Sequence, residues 1–144
     1  MGASKIMIVD DETGIRELLS EALLEKGFHV TSARDGRESL KYMRSNDFDL
    51  LITDINMPHI NGFELLRKMK TAGRKEKIVI MTGEYLDLSD TAKDMPFIYF
   101  QLRKPFKLDE FLQVVSSVLK SNRRNRRSRT IKKTGKRDVK CSLN

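Results

Sequence analysis

Four stretches of the chain are apolar without alternation: KIMIV at 5–9, DLLIT at 49–53, KIVIMT at 77–82 and FIYFQLR at 97–103. A strand that is apolar on both faces has to be covered on both faces, and a parallel sheet between two layers of helices does this. HVTSA at 29–33 is β-branched but more polar, as an edge strand would be. Between these runs the apolar spacing changes to that of a helix. Ile15, Leu18, Leu19, Ala22 and Leu23 share one helical face, with Gly27 as the stop; Leu40 and Met43, then Phe63, Leu66 and Met69, mark two shorter helices. Leu108, Phe111, Leu112, Val115, Val118 and Leu119 mark a strong final helix, whereas 86–95 has only Leu88, Ala92 and Met95 in register. The β-α alternation recurs five times within residues 1–120. It predicts an α/β domain, a doubly wound five-stranded parallel sheet with right-handed crossovers and helices on both faces.

The charge divides the chain at the same boundary. Residues 1–120 hold 18 Lys and Arg against 19 Asp and Glu, while residues 121–144 hold 10 against Asp138 alone. The formal net charge of +8 therefore resides in the last 24 residues. SNRRNRRSRTIKKTGKRDVKCSLN has no apolar period and too little aliphatic surface to bury a core, so 121–144 is expected to be a disordered basic tail on a domain of 1–120. Its plainest interpretation is a solvated linker. Its cations also suit non-specific polyanion binding by counterion release, with no aromatics for base stacking. Cys141 is the single cysteine, so no intrachain disulfide can form, and a reducing, cytoplasmic location is expected. The first residues, MGASKIMIVDDE, carry too short an apolar stretch for a signal peptide, and no run of about 18 apolar residues predicts a membrane span.

Chemistry-bearing residues fall at the strand ends. Asp10 and Asp11 follow the first apolar run, Asp54 the DLLIT run, Thr82 closes the next and Lys104 follows the last. In an open α/β sheet, ligands bind beyond the carboxyl ends of the strands, so these five are expected to gather at one edge. Each has an ordinary explanation when taken alone: acids before a helix N-terminus, a turn aspartate before Met57-Pro58, a strand end, a solvated lysine before a proline. Taken together, three carboxylates in one crevice repel one another unless a cation joins them, and Mg²⁺, which takes oxygen ligands and is usually held by one or two carboxylates plus phosphate oxygens, is the natural one.

With VDDE at 9–12, DINMPHINGFELL at 54–66, MTGE at 81–84 and KPF at 104–106, the chain resembles the receiver domain of two-component response regulators across nearly all of residues 5–120. The strand order 2-1-3-4-5 is carried by that resemblance rather than derived. The resemblance implies a phosphorylation-dependent switch in a phosphorelay. Asp54 accepts a phosphoryl group from the phosphohistidine of a sensor histidine kinase or phosphotransfer protein; Asp10, Asp11, Asp54 and the backbone carbonyl of Asn56 hold Mg²⁺; Thr82 and Lys104 meet the phosphoryl oxygens. The side chains of Asn56 and Glu84 stand where the family tunes hydrolysis of the aspartyl phosphate. Such a domain catalyses only its own phosphorylation and dephosphorylation.

Gln101 departs from the pattern, because receivers usually carry Tyr or Phe three residues before the lysine as a rotameric switch. Tyr99 shares the strand parity of Gln101 and Phe100 does not, so neither simply replaces that aromatic. The departure keeps alternatives open: a receiver-like docking module with impaired switching, or the receiver part of a longer regulator, since 24 residues cannot form a helix-turn-helix output domain. A haloacid-dehalogenase-type phosphatase, which also uses a strand-end aspartate, wants a second aspartate two residues later. Asn56 stands there instead.

Overall fold

A computed structural model of the chain describes residues 2–89 and 97–121. The tail at 121–144, apart from Ser121, lies outside the described residues, as does most of the weak helix expected at 86–95. The described elements are β1 (Lys5–Val9), α1 (Thr13–Glu25), β2 (His29–Ala33), α2 (Gly36–Met43), β3 (Leu50–Asp54), α3 (Gly62–Thr71), β4 (Lys77–Thr82), β5 (Ile98–Arg103) and α4 (Leu108–Lys120). The five strands form one sheet in the order β2-β1-β3-β4-β5, every pair parallel. Met7 lies opposite Leu51 and Leu51 opposite Ile78, so side chains of like parity stack across the sheet.

That parity sorts the apolar residues into two cores. Met7, Val9, Leu51 and Ile80 pack under Met43 of α2 and Leu65, Leu66 and Met69 of α3. Ile6, Ile8, Leu50, Ile52 and Met81 pack under Leu19 and Leu23 of α1 and Phe111, Val115 and Val118 of α4. The central strands are apolar on both faces because each face meets a helix layer, and β2 at the edge is only half-buried. Leu18, placed by its spacing on the inner face of α1, is instead 51% exposed, and the buried stripe is Leu19, Ala22 and Leu23. A helical stripe wider than its contact leaves its flank in water. Gly27 adopts a φ of +92° two residues beyond α1, a left-handed stop that residues with a Cβ rarely reach.

The amino-terminal edge of the sheet is held by one buried ion pair. Arg74, after α3, donates to Glu76 through Nη2 at 2.6 Å, to the Met43 carbonyl at 2.8 Å and to the Asn46 carbonyl at 2.8 Å. Glu76 also accepts from the Phe48 backbone N–H at 3.2 Å. The pair thus joins the ends of α2 and α3 to the segments entering β3 and β4. Removing one partner of a buried pair leaves the other charge uncompensated. Arg74→Ala is therefore expected to lower the unfolding free energy by about 3 kcal/mol, and Arg74→Ala/Glu76→Gln to recover part of that loss; urea unfolding of the three proteins measures both.

Candidate functional site

β1 and β3 are neighbours, yet the helices that follow them pack on opposite faces of the sheet, α1 in one core and α3 in the other. A crevice opens at such a reversal. Carboxylate oxygens of Asp10, Asp11 and Asp54 lie there within 4.8 Å of one another. Asp10 is fully buried and Asp54 is 7% exposed, whereas Asp11 is open to solvent. Lys104, arriving from the end of β5, donates from Nζ to Asp10 Oδ2 at 2.8 Å and stands 3.7 Å from Asp54 Oδ2 and 4.0 Å from Glu12 Oε1. The other Asp10 oxygen accepts from the Glu12 backbone N–H at 2.9 Å.

These acids are not helix caps. Glu12, the residue that precedes α1, makes no side-chain capping bond, and the first turn of α1 contains no acid. The carboxylates face the crevice instead.

Asp54 ends β3, and the backbone of the next residue, Ile55, is bonded through both its N–H and its carbonyl. Ile55 N–H donates to the Met81 carbonyl at 3.2 Å, and Gly62 N–H donates to the Ile55 carbonyl at 2.8 Å. A Cβ on Gly62 would stand 2.7 Å from the Asp54 carbonyl oxygen and 2.8 Å from Ile55 Cα, so the first residue of α3 can approach the end of β3 only as glycine. Asn61, in a dipeptide that reads as a turn, is the N-cap of α3: its side chain accepts from Glu64 N–H at 2.9 Å, while Glu64 Oε1 accepts from Asn61 N–H at 3.1 Å. The spacing of Asn61 and Glu64 ahead of Leu65 and Leu66 is the sequence mark of this capping box.

Burial is the main reason that the Asp54 carboxyl is pushed up to about 6; the charges of Asp10 and Asp11 add to it, and Lys104 and the Ile55 N–H oppose it. For Lys104, burial alone would lower the pKa, but the hydrogen bond to Asp10 and the charges of Asp10, Asp54 and Glu12 outweigh it and leave the ammonium held above its ordinary value. One lysine therefore incompletely neutralises three carboxylates. An all-oxygen donor set with residual negative charge fits a hard divalent cation such as Mg²⁺ and does not resemble a zinc site.

The remaining expected residues occupy the rim. Thr82 is buried, and its hydroxyl faces its own loop, donating to the Glu84 carbonyl at 2.8 Å and accepting from the Glu84 N–H at 3.2 Å. The Thr82 carbonyl accepts from Lys104 N–H at 2.7 Å, which joins the ends of β4 and β5. Asn56 and Glu84 are exposed beside Asp54 and Thr82 in the chain. Gln101 is 3% exposed and holds Leu86 by both backbone groups, a contact that sequence reasoning missed. Tyr99 does not share a face of the sheet with Gln101, contrary to the strand parity expected of the two. The register shifts between Ile78, opposite Ile98, and Val79, opposite Phe100, and Tyr99 turns into the α1–α4 core, where Lys77 Nζ lies 5.4 Å from the centre of its ring.

Residues 6–116 match the response regulator receiver domain family. Sporulation initiation phosphotransferase F of Bacillus subtilis is 35% identical over 122 residues, which cover 82% of this chain and 97% of that protein. A probable transcriptional regulator ycf29 of Pyropia yezoensis is 33% identical over 80% of this chain but only 53% of its own length, and NtrC of a Bradyrhizobium strain is matched over 25% of its length. Among solved structures, chemotaxis response regulator CheY4 of Vibrio cholerae superposes with a TM-score of 0.72 at 29% identity, over 81% of this chain and 98% of the other. TrrA of Thermotoga maritima in complex with Mg(2+)-BeF gives 0.67 at 34% identity, over 80% and 98%.

The elevated Asp54 carboxyl has a consequence for stability in the presence of a chelator. Between the ordinary value of 3.8 and about 6 the folded protein holds this proton more tightly than the unfolded chain, so stability falls as pH rises through that window and is level above it. The fall is at most about 3 kcal/mol for a shift of this size. Asp54→Asn is expected to remove it and to be more stable than wild type at neutral pH, as urea unfolding across pH will measure.

Proposed function

The chain belongs to the response regulator receiver family, and from that premise we propose that Asp54 is its phosphoacceptor, charged by the phosphohistidine of a sensor histidine kinase or phosphotransfer protein. The observation that carries this is the placement of Lys104 Nζ, bonded to Asp10 and 3.7 Å from Asp54 Oδ2, beside three clustered carboxylates. The Asp54 carboxylate attacks phosphorus, the phosphorus–nitrogen bond of the donor breaks, and its electron pair returns to the partner's imidazole, leaving an acyl phosphate on Asp54. Lys104, already held beside Asp54 by Asp10, meets the charge that develops on the phosphoryl oxygens without first being gathered from solvent. Asp10, Asp11, Asp54 and the Asn56 carbonyl would hold Mg²⁺, which when bound neutralises charge on the transferring group. The hydroxyl of Thr82 would leave the Glu84 carbonyl to donate to a phosphoryl oxygen. Asn56 and Glu84, exposed beside the acceptor and Thr82, are positioned to orient water for hydrolysis.

The names of two relatives point the same way: one is a phosphotransferase by name, and another was solved with Mg(2+)-BeF. Receivers are signalling domains rather than enzymes acting on a separate metabolite, and this one would turn over only its own phosphoryl group. Gln101 favours a second reading, a docking module whose response to phosphorylation is weak. Among the described residues no helix is long and apolar enough to cross a membrane.

Incubation with acetyl phosphate and Mg²⁺ is expected to add one phosphoryl mass to the wild-type chain and none to Asp54→Asn. Lys104→Ala should slow labelling by about a hundredfold while keeping Mg²⁺ affinity, and Asp11→Ala should weaken Mg²⁺ binding without unfolding the domain. Intact-mass kinetics with a parallel Mg²⁺ titration distinguish the three. Labelling of Asp54→Asn at the wild-type rate would remove Asp54 from the chemistry.

A further inference from the structure

Gln101 is buried in β5, and its carboxamide meets a single peptide neighbour twice: Oε1 accepts from the Leu86 N–H at 2.7 Å and Nε2 donates to the Leu86 carbonyl at 3.0 Å. The side chain behaves as a surrogate peptide group, closing the two-bond ring that a neighbouring strand would close. Leu86 sits in the loop that leaves Thr82, and that loop is otherwise exposed at Gly83, Glu84, Tyr85 and Asp87. Its other anchors are the Thr82–Glu84 bonds at one end and the buried Leu88 at the other. The clamp and the Thr82 hydroxyl therefore hold the same short segment from two sides.

We propose that Gln101 is a positioning residue for the phosphoryl-dependent step: a two-point clamp on Leu86 that holds the loop in the arrangement where Thr82 is bonded to Glu84, and so opposes transfer of that hydroxyl to the phosphoryl group. This rests on the reading of Asp54 as phosphoacceptor. An aromatic side chain here could swing about its first torsion and lose at most one hydrogen bond. Gln101 cannot swing without releasing both polar groups of Leu86 into a half-buried site, where an unmade bond is costly. The clamped loop thus acts as a resisting state, with rearrangement coupled to opening of the clamp. Because coupling is reciprocal, loading the site must loosen Leu86 by the same factor by which the clamp weakens loading.

The test uses the full chain, with beryllofluoride and Mg²⁺ as the phosphoryl mimic and amide hydrogen exchange as the local readout. Without the mimic, Gln101→Ala is expected to speed exchange at Leu86 by about tenfold and to leave Ile80 and Met81 protected. The same variant should bind beryllofluoride several-fold more tightly, which mere loss of packing would not produce, and in wild type the mimic should accelerate Leu86 exchange. Gln101→Glu keeps the chain length and the acceptor for Leu86 N–H but, ionised, loses the donor. It should fall between the two, and it supplies the measurement if Gln101→Ala does not fold. Unchanged Leu86 protection, or unchanged or weaker mimic binding, in variants that fold would overturn the clamp while leaving Asp54 as the acceptor. A wild-type chain that binds no beryllofluoride at all would overturn the phosphoacceptor reading and this inference with it.

Discussion

The hydrogen bond from Lys104 to Asp10, 2.8 Å long, ties the end of the last strand to the end of the first, across 94 residues of sequence. Asp10 is wholly buried, and an ionised carboxylate in that position requires compensation close by. Lys104 supplies a charge and the Glu12 N–H supplies a dipole. The same ammonium then has only a longer, 3.7 Å contact left for Asp54. Asp54 is left under-neutralised, with its carboxyl raised to about 6 chiefly by burial. An acid that fits its surroundings poorly in the absence of a cation is one whose environment a cation and a phosphoryl group can improve. The bond at Asp10 and the incomplete neutralisation of a buried Asp54 thus go together, because one lysine serves two acids.

That division depends on the sheet order. With β1 beside β3 and the following helices on opposite faces, neither helix covers the strand ends between them. The buried Arg74–Glu76 pair holds the opposite edge, where β3 and β4 begin, and Lys77 donates to the Val118 and Leu119 carbonyls at the end of α4. These ties join strand starts to helix ends at the amino-terminal edge, and the three carboxylates and Lys104 gather at the other.

The five strands were legible because each apolar run ends in a charged or turn residue. β1, β2 and β4 have the boundaries expected from KIMIV, HVTSA and KIVIMT. Asp10, Asp11, Asp54 and Lys104 were legible as a site because parallel strands bring all their carboxyl ends to one edge. Thr82 came to that edge too, but the direction of its hydroxyl, towards Glu84, is set by a loop whose bonds have no sequence period. Leu18 misled because spacing defines a stripe without fixing how much of it the neighbouring element covers. Tyr99 misled for a different reason: a register shift in the β4–β5 pairing reverses the alternation, and a parity count has no way to register it. Gln101 stood out only as a departure. Its two bonds to Leu86 join residues fifteen apart through a loop, and nothing in the spacing announces them.

The donors at this edge already have partners within the chain. Lys104 is bonded to Asp10, the Thr82 hydroxyl to Glu84, and the Gln101 amide to Leu86. The proposed recruitment of Thr82 to a phosphoryl group would therefore exchange one bond for another, and its net drive would be a difference between bonds rather than their sum. If that difference is small, the proposed covalent mark on Asp54 could move the loop and its loss could return it. The cost of leaving the Glu84 carbonyl without its donor falls on the segment between Thr82 and Leu86. On the proposed reading, whether that cost stops there or reaches β5 would depend on the grip of Gln101, so a side chain that touches none of the reacting atoms would set how far chemistry at Asp54 is felt.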